Sequence, residues 1–271
     1  MITTAHAVYR EREFEPGDTV IDPWRMIADQ PGVTVRRLGA NRPELISVLI
    51  PSRGRPDWFN RMYTTLNNTA THPRQIEVVA WIDEDDPTKL DYPVSKHGHV
   101  QIRYLTGPRS LLSDNWNSCA YHANGNIFMH CGDDITFDTP GWDQMVRQEF
   151  ARSDDKILFV YGNDLGPHGE TFGTHGFLHR RWTETVGYFV PPLFSSDWND
   201  VWLNDVAKMI SRHRLLPFIT EHHHYTFGKA ERDQTHHERE ERGARDDVVT
   251  LYKRTEKKRK QDAEKLKAVM V

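Results

Sequence analysis

From residue 46 onward the apolar positions switch between a period of about two and a period near 3.6, and the switches lay out strands and helices in turn. Ile46 to Ile50 is a near-continuous apolar run, the pattern of a parallel strand covered on both faces. Pro51 to Pro56, with Gly54 between Arg53 and Arg55, is a loop by composition. Phe59, Met62, Tyr63 and Leu66 recur at helical spacing and predict an amphipathic helix over 57–68. Glu77 to Ile82 reads as a second strand, broken by the acidic loop Asp83-Glu84-Asp85-Asp86-Pro87, and Val100, Ile102 and Tyr104 alternate as a third. Leu112, Trp116, Cys119, Ala120 and Ala123 form a helical stripe that stops at Asn124-Gly125. A fourth strand, Ile127 to His130, runs straight into Cys131-Gly132-Asp133-Asp134. Further on come a helix near 141–151, a strand at Ile157 to Tyr161 and a glycine-rich stretch to Gly176. A helix over 198–211 has Val201, Trp202, Val206, Met209 and Ile210 inward, and a strand-like run spans Leu215 to Ile219.

This order predicts an α/β fold with an open, mostly parallel, Rossmann-type sheet flanked by helices. In such sheets ligands sit beyond the carboxyl ends of the strands, and Ser52, Asp83 and Asp133 all fall at such ends. Residues 1–44 carry turn signals at Pro16-Gly17 and Pro31-Gly32 without a sustained period, and read as an N-terminal extension wrapped on the main domain. The domain itself is expected over 45–245, divided into halves at 45–138 and 139–245. From residue 246 the chain is a charged helical tail, read as solvated. From residue 253 on, its Lys253, Arg254, Lys257, Lys258, Arg259, Lys260, Lys265 and Lys267 face only Glu256, Asp262 and Glu264.

Composition narrows the classes. The 271 residues are 37% hydrophobic and 27% charged, enough for a real core under a very polar surface. No apolar run approaches the roughly 20 residues of a membrane span. The first residues lack the apolar stretch of a secretory signal. Two cysteines, Cys119 and Cys131, give no disulfide framework and fit a reducing cytoplasm. A formal net charge of −4 argues against a protein whose whole surface grips nucleic acid, although the basic tail could hold DNA locally.

The chemistry-bearing residues cluster in three places. Asp133 and Asp134, on a rigid strand end, offer carboxylates to a hard divalent cation such as Mn²⁺ or Mg²⁺; the same pair would also serve as a solvated turn or helix cap. His222 and His224 lie within Glu221-His222-His223-His224 after a strand, share one face if the segment is extended, and can ligate a metal or simply form a surface cluster. Asp197 and Asp200 precede a helix, where each is a candidate general base or a helix cap. Trp198 and Trp202 could stack on a sugar ring, with Trp202 the better core residue, and Trp116 falls on the apolar stripe of its own helix.

The series ISVLIPSRGRP, AWIDEDDP and RSLLSDNWNSCAYHANGNIFMHCGDDITF resembles the nucleotide-binding half of GT-A glycosyltransferases, most nearly the large inverting family two and its phage-encoded relatives. The likeness covers residues 46–138. It implies a transferase that moves a sugar from a nucleotide-sugar donor, with a divalent metal, onto a modified DNA base, a protein or a saccharide. It assigns Pro51, Ser52, Arg53 and Arg55 to a nucleotide-contacting loop and Asp83 to recognition of the base, mildly favouring uracil. Arg109 is expected near the donor. The family's Asp-X-Asp metal motif aligns with Cys131-Gly132-Asp133, so Cys131 replaces the first aspartate and Asp133 is the preferred ligand with Asp134 close behind. The resemblance also points to Asp200, or Asp197, as the base, to a histidine after the sheet for the metal, and to Lys229 in a mobile lid running to Thr235. The glycines of Gly173-Thr174-His175-Gly176 are expected to let the backbone approach a sugar.

Overall fold

Ile46, Val48 and Ile50 pack into one hydrophobic core and Leu49 into another, which is why the strand that carries them is apolar at almost every position. In the computed structural model, which describes residues 13–22, 30–37 and 44–271, this strand is one of eight in a single sheet. The chain divides into two compact units, Met1–Pro43 and Glu44–Val271. In the first, strands β1 (Thr19–Asp22) and β2 (Thr34–Arg37) pair in parallel. Residues 1–12, 23–29 and 38–43 of the expected 1–44 extension lie outside the described residues, and the expectation that it wraps the main domain falls in part on them.

The second unit contains β3 (Ile46–Ser52), α1 (Pro56–Thr69), β4 (Ile76–Asp83), β5 (Gln101–Gly107), α2 (Leu112–His122), β6 (Ile127–His130) and β7 (Ile135–Phe137). There follow α3 (Trp142–Ala151), β8 (Phe159–Asn163), β9 (Gly176–His179), α4 (Arg180–Val186), α5 (Asn199–Met209) and β10 (His213–His222). Three helices close the chain: α6 (Gln234–Arg245), α7 (Val248–Arg254) and α8 (Glu256–Lys267). The strand order is β5-β4-β3-β6-β9-β8-β10-β7. Helix α1 starts on Pro56, whose fixed φ suits the first helical position, and buries Phe59, Met62, Tyr63 and Leu66. With α3 it covers one face of the sheet, while α2, α4, α5 and α8 cover the other.

The α/β architecture expected from the sequence is present, with a more mixed sheet than the reading implied. The pairs β5/β4, β4/β3, β3/β6 and β8/β10 are parallel; β6/β9, β9/β8 and β10/β7 are antiparallel. Strand β9 returns from β8 through a loop without a crossover helix, so it must run antiparallel to it. Met209 is exposed, unlike the other positions expected inward on α5. The tail is also not solvated on every side. Arg259, Asp262, Ala263 and Leu266 are buried on one face of α8, against α4 and α5. That face follows helical spacing, but two of its four residues are charged, which hid it from an apolar pattern. Among the described residues no helix is long and apolar enough to cross a membrane.

Candidate active site

Sheet register brings the two halves of the site together. Strand β7 begins one residue after Asp134 and pairs antiparallel with the end of β10, His222 lying opposite Ile135. The His223 N–H donates to the Asp134 carbonyl at 2.8 Å, fixing the ladder at that point. His222 Nε2 is thereby set 3.3 Å from Asp134 Oδ2. Asp134, His175 and His222 each bring a ligand atom within 4.8 Å of the others. His222 Nδ1 and His175 Nε2 are buried ring atoms that meet no partner among the described residues, as expected where a further group belongs. His175 Nδ1 accepts the Gly132 N–H at 3.2 Å, which leaves its proton on Nε2; His175 ligates only if its ring turns over, whereas His222 has only to release a proton. Burial would raise the Asp134 pKa, but the hydrogen bond and charge of His222, with His175 and Arg55, hold this carboxyl well below the usual range. Burial equally opposes a charged His222, and Asp134 outweighs it, so that imidazole titrates above its ordinary value.

Asp133, the preferred ligand on sequence grounds, is turned the other way. Its Oδ2 accepts from Ser52 Oγ at 2.5 Å and its Oδ1 from Arg55 Nη1 at 3.2 Å. Burial, against the charge of Arg55 and with that of Asp134, raises its pKa. Arg55 is itself buried and donates from Nε and Nη2 to the two oxygens of Asp233, each at 2.8 Å. Asp233 caps α6, accepting from the His236 N–H while the His236 ring answers to the Asp233 N–H. The loop after β3, the aspartate pair and the start of α6 are therefore one connected network. Of the run expected as a mobile lid, residues 228–233 are loop, and Gln234 and Thr235 already belong to the capped helix. The signal was an N-capping Asp233 ahead of the helix formers of Glu238–Glu241.

Asp83, at the end of β4, accepts from Trp81 Nε1 at 3.0 Å and from Arg53 Nη1 at 3.3 Å, with Arg109 Nε 3.9 Å away. Arg53 and Arg109 both turn toward Glu238 of α6. Opposite, Trp198 holds a left-handed backbone with φ of 80° and starts α5. Asp200 sits in the first turn, where its Oδ1 accepts its neighbour Val201's N–H at 2.8 Å; no cation lies within 4.0 Å of it among the described residues. Burial first, then repulsion by Asp197, pushes the Asp200 pKa up to about 6, against the Val201 N–H. Asp197 has 46% of its side chain exposed and is paired with Arg239 at 3.5 Å. Neither aspartate is the helix cap.

One cavity of about 390 Å³ receives most of these groups. Pro51, Ser52, Arg53, Arg55, Asp83, Arg109, Gly132, Asp133 and Asp134 line it, as do Asp197, Asp200, His222 and His224. Cys131 and Lys229 do not. Cys131 is fully buried with Sγ directed at the Gly132 carbonyl, and burial pushes its thiol well up. Lys229 is held by Glu221 at 2.7 Å and the Leu165 carbonyl at 3.2 Å. His224 lines the wall, but its nitrogens are taken by Thr226 Oγ1 at 2.6 Å and Arg239 Nη1 at 3.2 Å. The glycines of 173–176 serve the core: a Cβ on Gly173 would lie 2.7 Å from the Tyr161 ring and one on Gly176 2.4 Å from the Phe159 ring. Sequence reasoning did not single out Arg239 and Arg242, which α6 brings to the cavity, or His130, whose ring packs tilted against Trp116 with centroids 4.0 Å apart.

No protein-family model matches the sequence, and no curated protein matches it. Solved structures do show similarity. The mannosyltransferase PcManGT from Pyrobaculum calidifontis, in complex with GDP-Man and Mn²⁺, is 12% identical, over 66% of this chain and 57% of that one, with a TM-score of 0.49. S. aureus TarS is 10% identical over 66% of this chain and 37% of that one, with a TM-score of 0.48. TarS 1-349 in complex with UDP is 12% identical over 64% of this chain and 59% of that one, with a TM-score of 0.47. The chain thus spans between 37% and 59% of these solved chains.

Proposed function

We propose that the chain is a metal-dependent glycosyltransferase of the GT-A kind, moving a sugar from a nucleotide-sugar to a hydroxyl acceptor with inversion. One observation carries the reading: a single cavity holds a carboxylate–imidazole pair, Asp134 and His222, and a separate carboxylate, Asp200, raised to about 6 and, among the described residues, without a cation beside it. The first suits a divalent cation; the second suits a general base near neutral pH. Asp134 and His222, with His175 once its ring turns, would hold the ion. A donor set of one carboxylate and imidazoles fits Mn²⁺ better than the oxygen-loving Mg²⁺. When bound, the ion supplies positive charge to a diphosphate leaving group.

The rest falls to the chain's own residues. Asp83 recognises the base by accepting a ring N–H, a donor that uracil offers. Arg53 and Arg109 stand beside it, and Ser52 and Arg55 fix Asp133. Asp200 takes the acceptor's hydroxyl proton as its oxygen bonds to the anomeric carbon and the bond to the diphosphate oxygen breaks. The acceptor classes open to this reading are a modified DNA base, a protein and a saccharide, in the cytoplasm.

Thermal shift with UDP-, GDP-, CMP- and dTDP-sugars, each with and without Mn²⁺, tests the donor site, because a ligand that binds only the native state raises Tm by mass action. A manganese-dependent rise with one nucleotide class is expected, together with slow hydrolysis of that donor. No rise with any of the four removes the reading.

A further inference from the structure

The C-terminal helices reach the cavity through a stack of rings. Arg259, 4% exposed, lies with its guanidinium carbon 3.7 Å from the Tyr252 ring centroid and 5.3 Å from that of Trp202. Its Nη1 donates to the Tyr252 carbonyl at 2.6 Å, and its Nε is 3.4 Å from Asp205, the residue that also accepts from the Tyr252 hydroxyl. Tyr252 in turn packs on Trp198, centroids 4.6 Å apart and rings inclined by 33°. Trp198 ends the stack at the cavity, between Asp197 and Asp200. A tryptophan at φ of 80° is strained, and such strain persists only where the surroundings over-determine it. A buried arginine spent on two aromatic rings and one aspartate is also a costly arrangement for a loop that does nothing.

We propose that Trp198 is the platform for a pyranose ring of the acceptor, and that Tyr252 and Arg259 are positioning residues that hold it beside Asp200. The proposal rests on the glycosyl-transfer reading of the cavity and names the acceptor class. A pyranose lays an apolar C–H face on an indole and keeps its hydroxyls at the ring edge, and Asp197 and Asp200 line the same cavity as Trp198. The basic residues of α7 and α8 do not line the cavity. Lys258, Lys260 and Lys267 are paired within α8 to Asp262, Glu256 and Glu264, and Lys257 and Lys265 border a separate shallow groove rather than the cavity.

Saturation-transfer NMR with methyl β-glucoside, methyl β-galactoside and methyl N-acetyl-β-glucosaminide, on the full chain, tests it directly. At least one glycoside should take up saturation at its ring C–H protons. Trp198→Ala should weaken its binding about tenfold, the loss of one well-packed aromatic contact, and Trp198→Phe should recover most of it. Tyr252→Ala and Arg259→Met should weaken it in the same direction while the manganese-dependent nucleotide shift stays in place, a split that general unfolding would not give. The proposal falls if the wild-type chain binds none of the three glycosides, if Trp198→Ala binds them as wild type does, or if a short duplex DNA is the substrate instead. Glycoside binding through Trp198 without any nucleotide-sugar shift would sink the transfer reading and leave the platform standing.

Discussion

Arg55 Nη1 lies 3.2 Å from Asp133 Oδ1 while the same guanidinium grips both oxygens of Asp233, so the strand-end aspartate and the start of α6 share one buried cation. Arg55→Met should therefore cost more than a surface ion pair. It leaves the Asp133 carboxylate buried beside Asp134 with only Ser52 for compensation, a loss of about 3 kcal/mol or more. The penalty belongs to the ionised form of Asp133, so it should shrink as pH falls and the carboxyl protonates. Denaturant melts of both proteins at pH 8 and at pH 5 check this; equal differences at the two values would contradict it.

The two aspartates should separate in metal binding. Asp134 faces His222, whereas both oxygens of Asp133 are already spent on Ser52 and Arg55. Asp134→Asn and His222→Ala are expected to weaken Mn²⁺ about 100-fold, as loss of a ligand should exceed the 10–100-fold typical of an outer partner. Asp133→Asn should weaken it by about tenfold only. Mn²⁺ EPR titration of the free ion reads this without any assay of turnover. A larger loss from Asp133→Asn than from Asp134→Asn would restore Asp133 as the ligand.

Much of this was legible in the chain and some was not, for identifiable reasons. The β3 run, the α1 stripe and the position of Asp133-Asp134 at a strand end are local patterns, and a short window holds each of them whole. The meeting of Asp134 with His222 is not local. It depends on a three-residue strand, Ile135–Phe137, pairing with a segment some 85 residues on, and three residues carry no period. His222 and His224 look alike in sequence; only Thr226 and Arg239 separate them. The glycines at 173 and 176 signalled close approach correctly, but what approaches is the Tyr161 and Phe159 rings of the core.

Asp200 gives a pH signature with opposite signs for rate and for stability. A base with a pKa of about 6 is protonated and idle below it, so transfer should rise with pH through about 6. Asp200→Asn should flatten that limb and lower transfer by about 10²–10⁴-fold with donor affinity retained. For stability, a folded pKa above the unfolded one means the protonated form favours folding, and that contribution is lost as pH rises through the folded value. Asp200→Asn should thus melt higher than wild type at pH 8 and no higher at pH 4. If Asp197→Asn produced this pair of effects instead, the role would pass to Asp197.

The final helices give the last contrast, because a charged tail and a packed layer respond differently to truncation. Ending the chain after residue 246 removes Leu266 and Ala263 from the core they share with Trp182 and Trp202, and removes Arg259 and Tyr252 from Asp205, Trp202 and Trp198. Uncovering an apolar face costs about 25 cal/mol for each Å² returned to water, and the stability of a domain is only about 5–15 kcal/mol. The truncated chain should accordingly melt far below the full one or fail to fold. Lys253→Ala and Lys257→Ala, which remove exposed charge from the same segment, should change stability by no more than about 0.5 kcal/mol. A solvated arm would give the reverse: a truncated protein with an unchanged melt, and point variants with a salt-dependent loss of binding to polyanions. Thermal melts of the three proteins side by side, at low and high salt, decide between the two.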